Sequence, residues 1–294
     1  MFIYSEVLVM HMRVIKKILD KPAIKLVPLG DIHLGHAVCD KDLFENTINY
    51  IAENDEAMWI GMGDYCDAIS AKDKRYNPKE IDSSLPTPDV QYREVTKMLM
   101  PIKDKCLGLL DGNHDYTHWT HHNHNYVDQM AHELETEYLG LDAVIRLIFP
   151  RTWLKKIGKN REHHKFDIFA HHGWSSGRSD GYKVKSIQDM ALIFSEMNLY
   201  LMGHVHLKGE APVRVKLNIA ENLDIIQHTQ RYVFTGSYIK GYVNGFTTYI
   251  EGKALPPTQL GSPSIFIKSY HDCGKTRKKH GFTVNVSEIE EIDE

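Results

Sequence analysis

At 294 residues, 42% of them hydrophobic and 25% charged, the chain is long enough to bury one large core. A mean hydropathy of −0.38 fits a soluble globular protein. The net charge of −4 excludes an overall polycation, and so a strong pull of the whole molecule on nucleic acid, while leaving room for a local basic groove.

The chain opens with Met1–Met10, which lacks a basic leader and a small-residue cleavage site and has Glu6 inside its apolar run; no signal peptide is expected. No stretch reaches the ~18 uncharged apolar residues of a membrane helix, so the expected setting is cytoplasmic, with no membrane partner. Lys25–Leu29 reads as a strand ending at Gly30-Asp31. Asp40 is placed to cap a helix over Asp42–Glu53, where Leu43, Phe44, Thr47, Ile48 and Ile51 recur at helical spacing. Met58–Met62 is the next strand, and it ends at Gly63-Asp64. Asp73–Asp89, rich in proline and charge, reads as a surface excursion. Val90–Met100 is helical up to Pro101, and Cys106–Leu110 is a strand running into Asp111-Gly112-Asn113.

Tyr126–Tyr138 has an acidic amphipathic helical pattern. Asp167–Ala170 is a strand before His171-His172, and Tyr200–Met202 is another before Gly203-His204. Between them Ile187, Met190, Ala191, Phe194 and Met197 line one helix face. The texture then changes: Val213–Leu217, Arg231–Thr235, Phe246–Ile250, Ile265–Lys268 and Phe282–Val286 are strand-like runs separated by Gly, Pro and Asn. Alternating strands and helices followed by strands alone predict an α/β fold finished by β structure. Lys275–His280 reads as a basic surface turn and Ser287–Glu294 as a solvated acidic tail. With no repeat or linker, one domain spanning 1–294 is expected, its core at about 24–250 and a C-terminal β extension over 251–294.

Eighteen histidines are an excess, and histidine is the commonest metal ligand and the usual acid or base near neutral pH. His118, His121, His122 and His124 also fit a histidine-rich surface loop. Cys39, Cys66, Cys106 and Cys273 form no Cys-x-x-Cys pair, so neither a zinc knuckle nor a disulfide framework is signalled. Five strand ends carry the chemistry. Asp31 and His33 stand in GDIHLGH, Asp64 and Asp67 in GMGDYCD, and Asn113, His114 and Asp115 in DGNHD. His171 and His172 follow in AHHGW, then His204 and His206 in GHVH. Each piece alone is a turn or a cap; together, beyond the carboxyl ends of strands where loops converge, they describe a metal site.

In this order the motifs resemble those of the calcineurin-like metallophosphoesterase superfamily. The resemblance implies a four-layer α/β/β/α sandwich, two mixed sheets flanked by helices. It implies one metal held by Asp31, His33, Asp64 and His206 and a second by Asp64, Asn113, His171 and His204, with Asp64 bridging. His171 or His172 is open from the residues, since neighbours on a strand point to opposite faces; the resemblance, in which a small residue stands two places after the ligand, favours His171 because Gly173 fits that place. His114 corresponds to a substrate-facing histidine that stabilises the transferring phosphoryl group or protonates the leaving oxygen, and Asp115 is expected to orient its imidazole. Asp67 reads either as an orienting acid or as a solvated turn acid. The mixed oxygen and nitrogen ligands suit two divalent ions, Mn²⁺ first, with Fe, Zn, Ni or Mg as alternatives.

The substrate is written less clearly. The insertions Ile69–Asp89 and Tyr116–Asn125 and the basic-aromatic segment Arg178 to Lys185 surround the motifs. Trp119, Tyr116 and Tyr126 could stack on a base, or Tyr116–Asn125 could be a polar helix start packed by one tryptophan. A phosphodiesterase or nuclease acting on nucleotides or nucleic acid is the favoured reading, a phosphomonoesterase the alternative, and a non-catalytic binding module the third. Oligomeric state is not legible.

Overall fold

A computed structural model describes residues 12–71, 73–150, 164–174, 177, 179–219, 223–257, 259–273 and 278–289. Met1–Met10, Arg178, the first part of Lys275–His280 and the end of the acidic tail lie outside them. Arg13–Ile18 (β1), Ala23–Leu29 (β2), Lys41–Glu53 (α1), Ala57–Gly61 (β3), Pro88–Leu99 (α2) and Cys106–Leu110 (β4) form the first half. Asn113–His122 (α3), Tyr126–Glu133 (α4), Tyr138–Gly140 (β5), Asp142–Phe149 (β6), His164–His171 (β7) and Asp180–Asp189 (α5) follow. Leu199–Met202 (β8), Lys208–Ile219 (β9), Ile225–Thr235 (β10), Tyr249–Gly252 (α6), Ser264–Cys273 (β11) and Lys278–Ser287 (β12) complete it.

The strands form two mixed six-stranded sheets, ordered β1-β6-β7-β8-β10-β9 and β12-β11-β2-β3-β4-β5. In the second, β2, β3, β4 and β5 run parallel and β11 antiparallel to β2. Alternation along β2 shows how the layers arise. Ile24 and Leu26 join Ile145, Phe166, Ile168, Leu201 and Val233 of the other sheet in one core, while Val27 and Leu29 pack with Phe44, Ile48, Val95 and Val127 of the helices. A third core lies under α5, from Val144, Phe169, Tyr200 and Tyr232 to Ile187 and Met190. Helix, sheet, sheet, helix is therefore the layer order, an α/β sandwich as the resemblance implies.

Local signals behave as their chemistry demands. Asp40 caps α1 by accepting from Leu43 N at 3.4 Å, and the expected apolar positions Phe44, Thr47, Ile48 and Ile51 are buried. Beyond α2, Pro101 sits in a 3-10 turn over Met100–Lys105. Three expectations are corrected. The helix expected over Tyr126–Tyr138 stops at Glu133, because Glu135 turns left-handed at φ 54° and Tyr138 opens β5 against β4. Phe246–Ile250 is no strand; Tyr249–Gly252 is a short helix. The resemblance also implies a closing strand at Gly236-Ser237-Tyr238; instead Ser237 bridges singly to Gly261, and Tyr238 N and the Ser237 hydroxyl donate to Asp31 O. The apolar run 143–149 lies in β6, between β1 and β7.

Candidate metal centre

The loop after β2 and the loop after β3 are zipped together by main chain: Asp31 N donates to Gly63 O, Ile32 N to Asp64 O and Leu34 N to Tyr65 O, at 2.9, 2.9 and 3.0 Å. Asp31, His33, Asp64, His204 and His206 all adopt left-handed backbone, with φ between 49° and 65°. Such a conformation costs a non-glycine residue on the order of 1 kcal/mol, so five instances among the residues proposed as ligands mark a place where geometry outranks local comfort. Gly112 shows how tight the packing is. A Cβ there would stand 2.1 Å from Asp64 Oδ1 and 2.3 Å from Asp64 N.

The two aspartates are held alike. Asp31 Oδ2 accepts from His204 N at 2.8 Å, and Asp64 Oδ1 accepts from His114 N at 2.8 Å. Each thereby aims its second oxygen at the other ligand candidates. Asp31 Oδ1 lies 3.4 Å from His206 Nε2 and 3.9 Å from His33 Nε2, and Asp64 Oδ2 lies 3.7 Å from His33 Nε2 and 3.4 Å from His172 Nε2. Asp31, His33 and His206 form one group of convergent donor atoms; Asp64, His172 and His204 form a second. His33, Asp64 and His114 form a third that overlaps both.

These donors fit a cation better than they fit one another. Asp31 Oδ1 and both ring nitrogens of His33 are buried and make no well-formed hydrogen bond among the described residues. The charges point the same way. Burial alone would raise Asp31 and Asp64, yet His206 and His172 hold the first carboxyl below its ordinary range, and His172 and His114 hold the second well below it. Two adjacent buried carboxylates kept ionised need compensating positive charge. Asn113 adds to this, for one atom of its amide lies 3.1 Å from His172 Nε2, 2.7 Å from His204 Nδ1 and 3.2 Å from Asp64 Oδ2. As NH₂ that atom donates to all three; as oxygen it joins them as a fourth ligand atom around a cation.

In the fourth motif the structure brings His172, and not the expected His171, among these donors. On β7, Phe166, Ile168 and Ala170 face the core between the sheets, while Phe169 faces the outer core. His172 continues the inner face and His171 the outer one, where His171 Nδ1 accepts from Gly173 N at 2.7 Å and its ring packs edge-on against Trp174. Nδ1 of His172 lies 2.7 Å from Met62 O, and a carbonyl only accepts, so Nδ1 carries a proton and Nε2 is the nitrogen that faces Asp64 and Asn113. A backbone carbonyl on the far nitrogen is how ligating histidines are oriented. Burial would push His172 down, but the Asp64 carboxylate, with Asp31 behind it, pushes it up to about 10. Burial instead pushes His171 down to about 4.

Asp115 does not orient His114. It is buried, accepts from Asp64 N at 2.6 Å and Gly112 N at 2.8 Å, and takes the Tyr92 hydroxyl on its other oxygen. It closes the first turn of α3 and pins the Asp64 backbone. Burial, reinforced by the Asp64 charge, pushes it up to about 7. The His114 ring is instead fixed by Nδ1 donating to Asp67 O at 2.5 Å. Asp67 is buried, so it is not a solvated turn acid; burial raises its carboxyl, the neighbouring His33 more than offsets this, and it stays below its ordinary range.

Arg75 is the site residue that the sequence hid. Its Nη1 lies 3.1 Å from His114 Nε2, and Asp73 holds its Nε and Nη2 at 3.2 and 2.8 Å. Nothing in the charged run Asp73-Lys74-Arg75 says which cation folds inward. Conversely, the aromatic-histidine segment after Asn113 is helix α3. His118 is buried there with Nε2 2.6 Å from Ala68 O, and Tyr126 stacks on Tyr92, while Trp119 stays 46% exposed.

No family model matches the sequence, and no curated protein matches it. Among solved structures, the chain is similar to Vps29 from Entamoeba histolytica in complex with zinc. Identity is 11%, 89% of this chain and 99% of that chain are covered, and the TM-score is 0.37. It is also similar to a predicted phosphoesterase from Streptococcus pneumoniae, at 11% identity, 89% and 98% coverage and a TM-score of 0.32. Likeness this distant leaves the reading to the side chains of the site. Among the described residues, no helix is long and apolar enough to cross a membrane.

Proposed function

We propose that the chain is a dinuclear metal-dependent phosphoesterase that hydrolyses phosphodiesters of nucleotides or nucleic acid. The observation that carries this reading is the pair of adjacent donor groups, Asp31-His33-His206 and Asp64-His172-His204, with Asp64 Oδ2 turned toward both His33 and His172. Asp31, His33, Asp64 and His206 would hold one ion, and Asp64, Asn113, His172 and His204 the other. When bound, two divalent ions supply Lewis-acid polarisation of a phosphoryl group and bring the pKa of water toward neutrality. Manganese is the first candidate, since oxygen and imidazole ligands without thiolate suit it and its neighbours.

The remaining chemistry belongs to side chains. His114 keeps its Nδ1 proton on Asp67 O, which leaves Nε2 as the atom that holds or delivers a proton to a departing alkoxide. Arg75 sits against Nε2 and can pass to a phosphoryl oxygen when substrate arrives. The charge balance favours a diester. Among the described residues Arg75 brings one cationic group against His114, its charge shared with Asp73, which suits the single negative charge of a diester. The test is hydrolysis of bis-p-nitrophenyl phosphate and p-nitrophenyl phosphate by the Mn²⁺-loaded protein. Cleavage of the diester supports the reading, cleavage of the monoester alone refutes it, and His114→Ala should lower turnover about 10²–10⁴-fold with metal retained.

A further inference from the structure

The β9–β10 hairpin has two faces of opposite character. One carries Arg214, Lys216, Asn218, His228 and Gln230, with Ile226 opposite Asn218, and is occupied by the chain's own segment 195–197. Lys216 Nζ and Gln230 Nε2 donate to Ser195 O at 3.2 and 2.7 Å, Asn218 donates to Glu196 Oε1 at 3.2 Å, and His228 Nε2 lies 2.9 Å from Met197 O. Strand alternation places Val213, Val215, Leu217 and Ile219 on the opposite face, and the register sets Ile225 against Ile219, Gln227 against Leu217 and Thr229 against Val215. Beyond the Arg231–Glu210 pair, the described residues of that face bear no charge. Its aliphatic residues are 42% to 74% exposed, and Leu223 at the turn is 82% exposed. At the hairpin foot Lys208 pairs with Glu288 beside β12, and Arg231 pairs with Glu210 at 2.6 Å. Farther out, this strip continues the side of the sheet that packs on the second sheet.

We propose that this face pairs with the same face of a second copy of the chain, related by a two-fold axis. Area supports it. Burying one Val, Leu or Ile removes roughly 100 Å² of apolar surface from water. At their exposures, the five aliphatic side chains of this face and Leu223 at the turn together hold on the order of 400 Å². A standard interface takes about 800 Å² per partner, a little over half of it apolar, which is what this face supplies. An uncharged strip is best met by another uncharged strip, and a two-fold axis brings one of matching length without a new surface having to exist.

The experiment is light scattering and sedimentation velocity on the full chain, wild type against Leu217→Asp and, separately, Ile225→Asp. Wild type should run at twice the chain mass of 33.9 kDa, and each variant at that mass with an unchanged circular dichroism spectrum and unchanged metal content. Two variants on different strands guard against one of them misfolding. A monomeric wild type, or a dimer that survives both substitutions, would overturn the proposal. Cosedimentation of monomeric wild type with phosphatidylcholine vesicles, lost in the variants, would overturn it in favour of a lipid surface. Metal content is unaffected in every arm, so failure here leaves the phosphoesterase reading standing.

Discussion

Asp31 and Asp64 on the floor of the site are 0% and 2% exposed, whereas the Arg75 side chain on its rim is 45% exposed. Floor residues hang from strand ends, in left-handed backbone locked by main-chain bonds between neighbouring loops. Arg75 hangs from an excursion and is steadied by one aspartate. The difference teaches that the charge demand of the site is built into the sandwich, while the group proposed to meet substrate is added from outside it. Substitutions in the floor should abolish metal binding; those on the rim should alter only how substrate is held.

The largest effect is expected from Gly112→Ala. Its methyl would collide with Asp64 and must displace either that carboxylate or the start of α3. Loss of stability should be about 1–3 kcal/mol, with loss of bound metal, measured by thermal melting and elemental analysis. Next comes the histidine pair. His172→Ala should weaken metal binding by at least ~100-fold, beyond what removal of an outer partner costs, and His171→Ala should leave it nearly unchanged, both read by calorimetric titration. The reverse order would restore the sequence expectation and break the floor as described.

A smaller effect concerns protons. Burial pushes Asp111, beside the Tyr138 hydroxyl, up to about 6. An acid with a raised folded pKa binds its proton more tightly when folded, so stability is greatest below its unfolded pKa near 4. It falls as pH rises to about 6, then levels. In the metal-free protein the Asp111 contribution should fall by on the order of 2 kcal/mol across that window, read as the difference between wild type and Asp111→Asn in denaturant titrations at several pH values. Least of all, Arg75→Ala should raise KM by roughly fivefold with kcat little changed, as for an exposed ion contact worth about 1 kcal/mol. A large fall in kcat instead would move Arg75 from rim to floor.

Much of this was legible because strand-end chemistry is local. Asp31, His33, Asp64, Asn113, His204 and His206 each announce themselves within a few residues of an apolar run and a glycine. What escaped depends on contacts between distant segments. His171 against His172 turns on which face of β7 looks inward, and a strand buried on both faces, with Phe169 as apolar as Ile168, hides that parity. Asp115 binds Tyr92 rather than His114 because α2 crosses behind the loop, which no spacing within DGNHD can reveal. Arg75 reaches the site only through the path of an excursion.

The most direct test of the central claim is a count of Mn²⁺ ions bound per chain after exhaustive chelation, reloading and desalting, in wild type and in Asp64→Asn. Two ions per wild-type chain, with both weakened together by loss of the shared carboxylate, is the predicted result. A wild type that retains none, or an Asp64→Asn variant that still holds two, would contradict it.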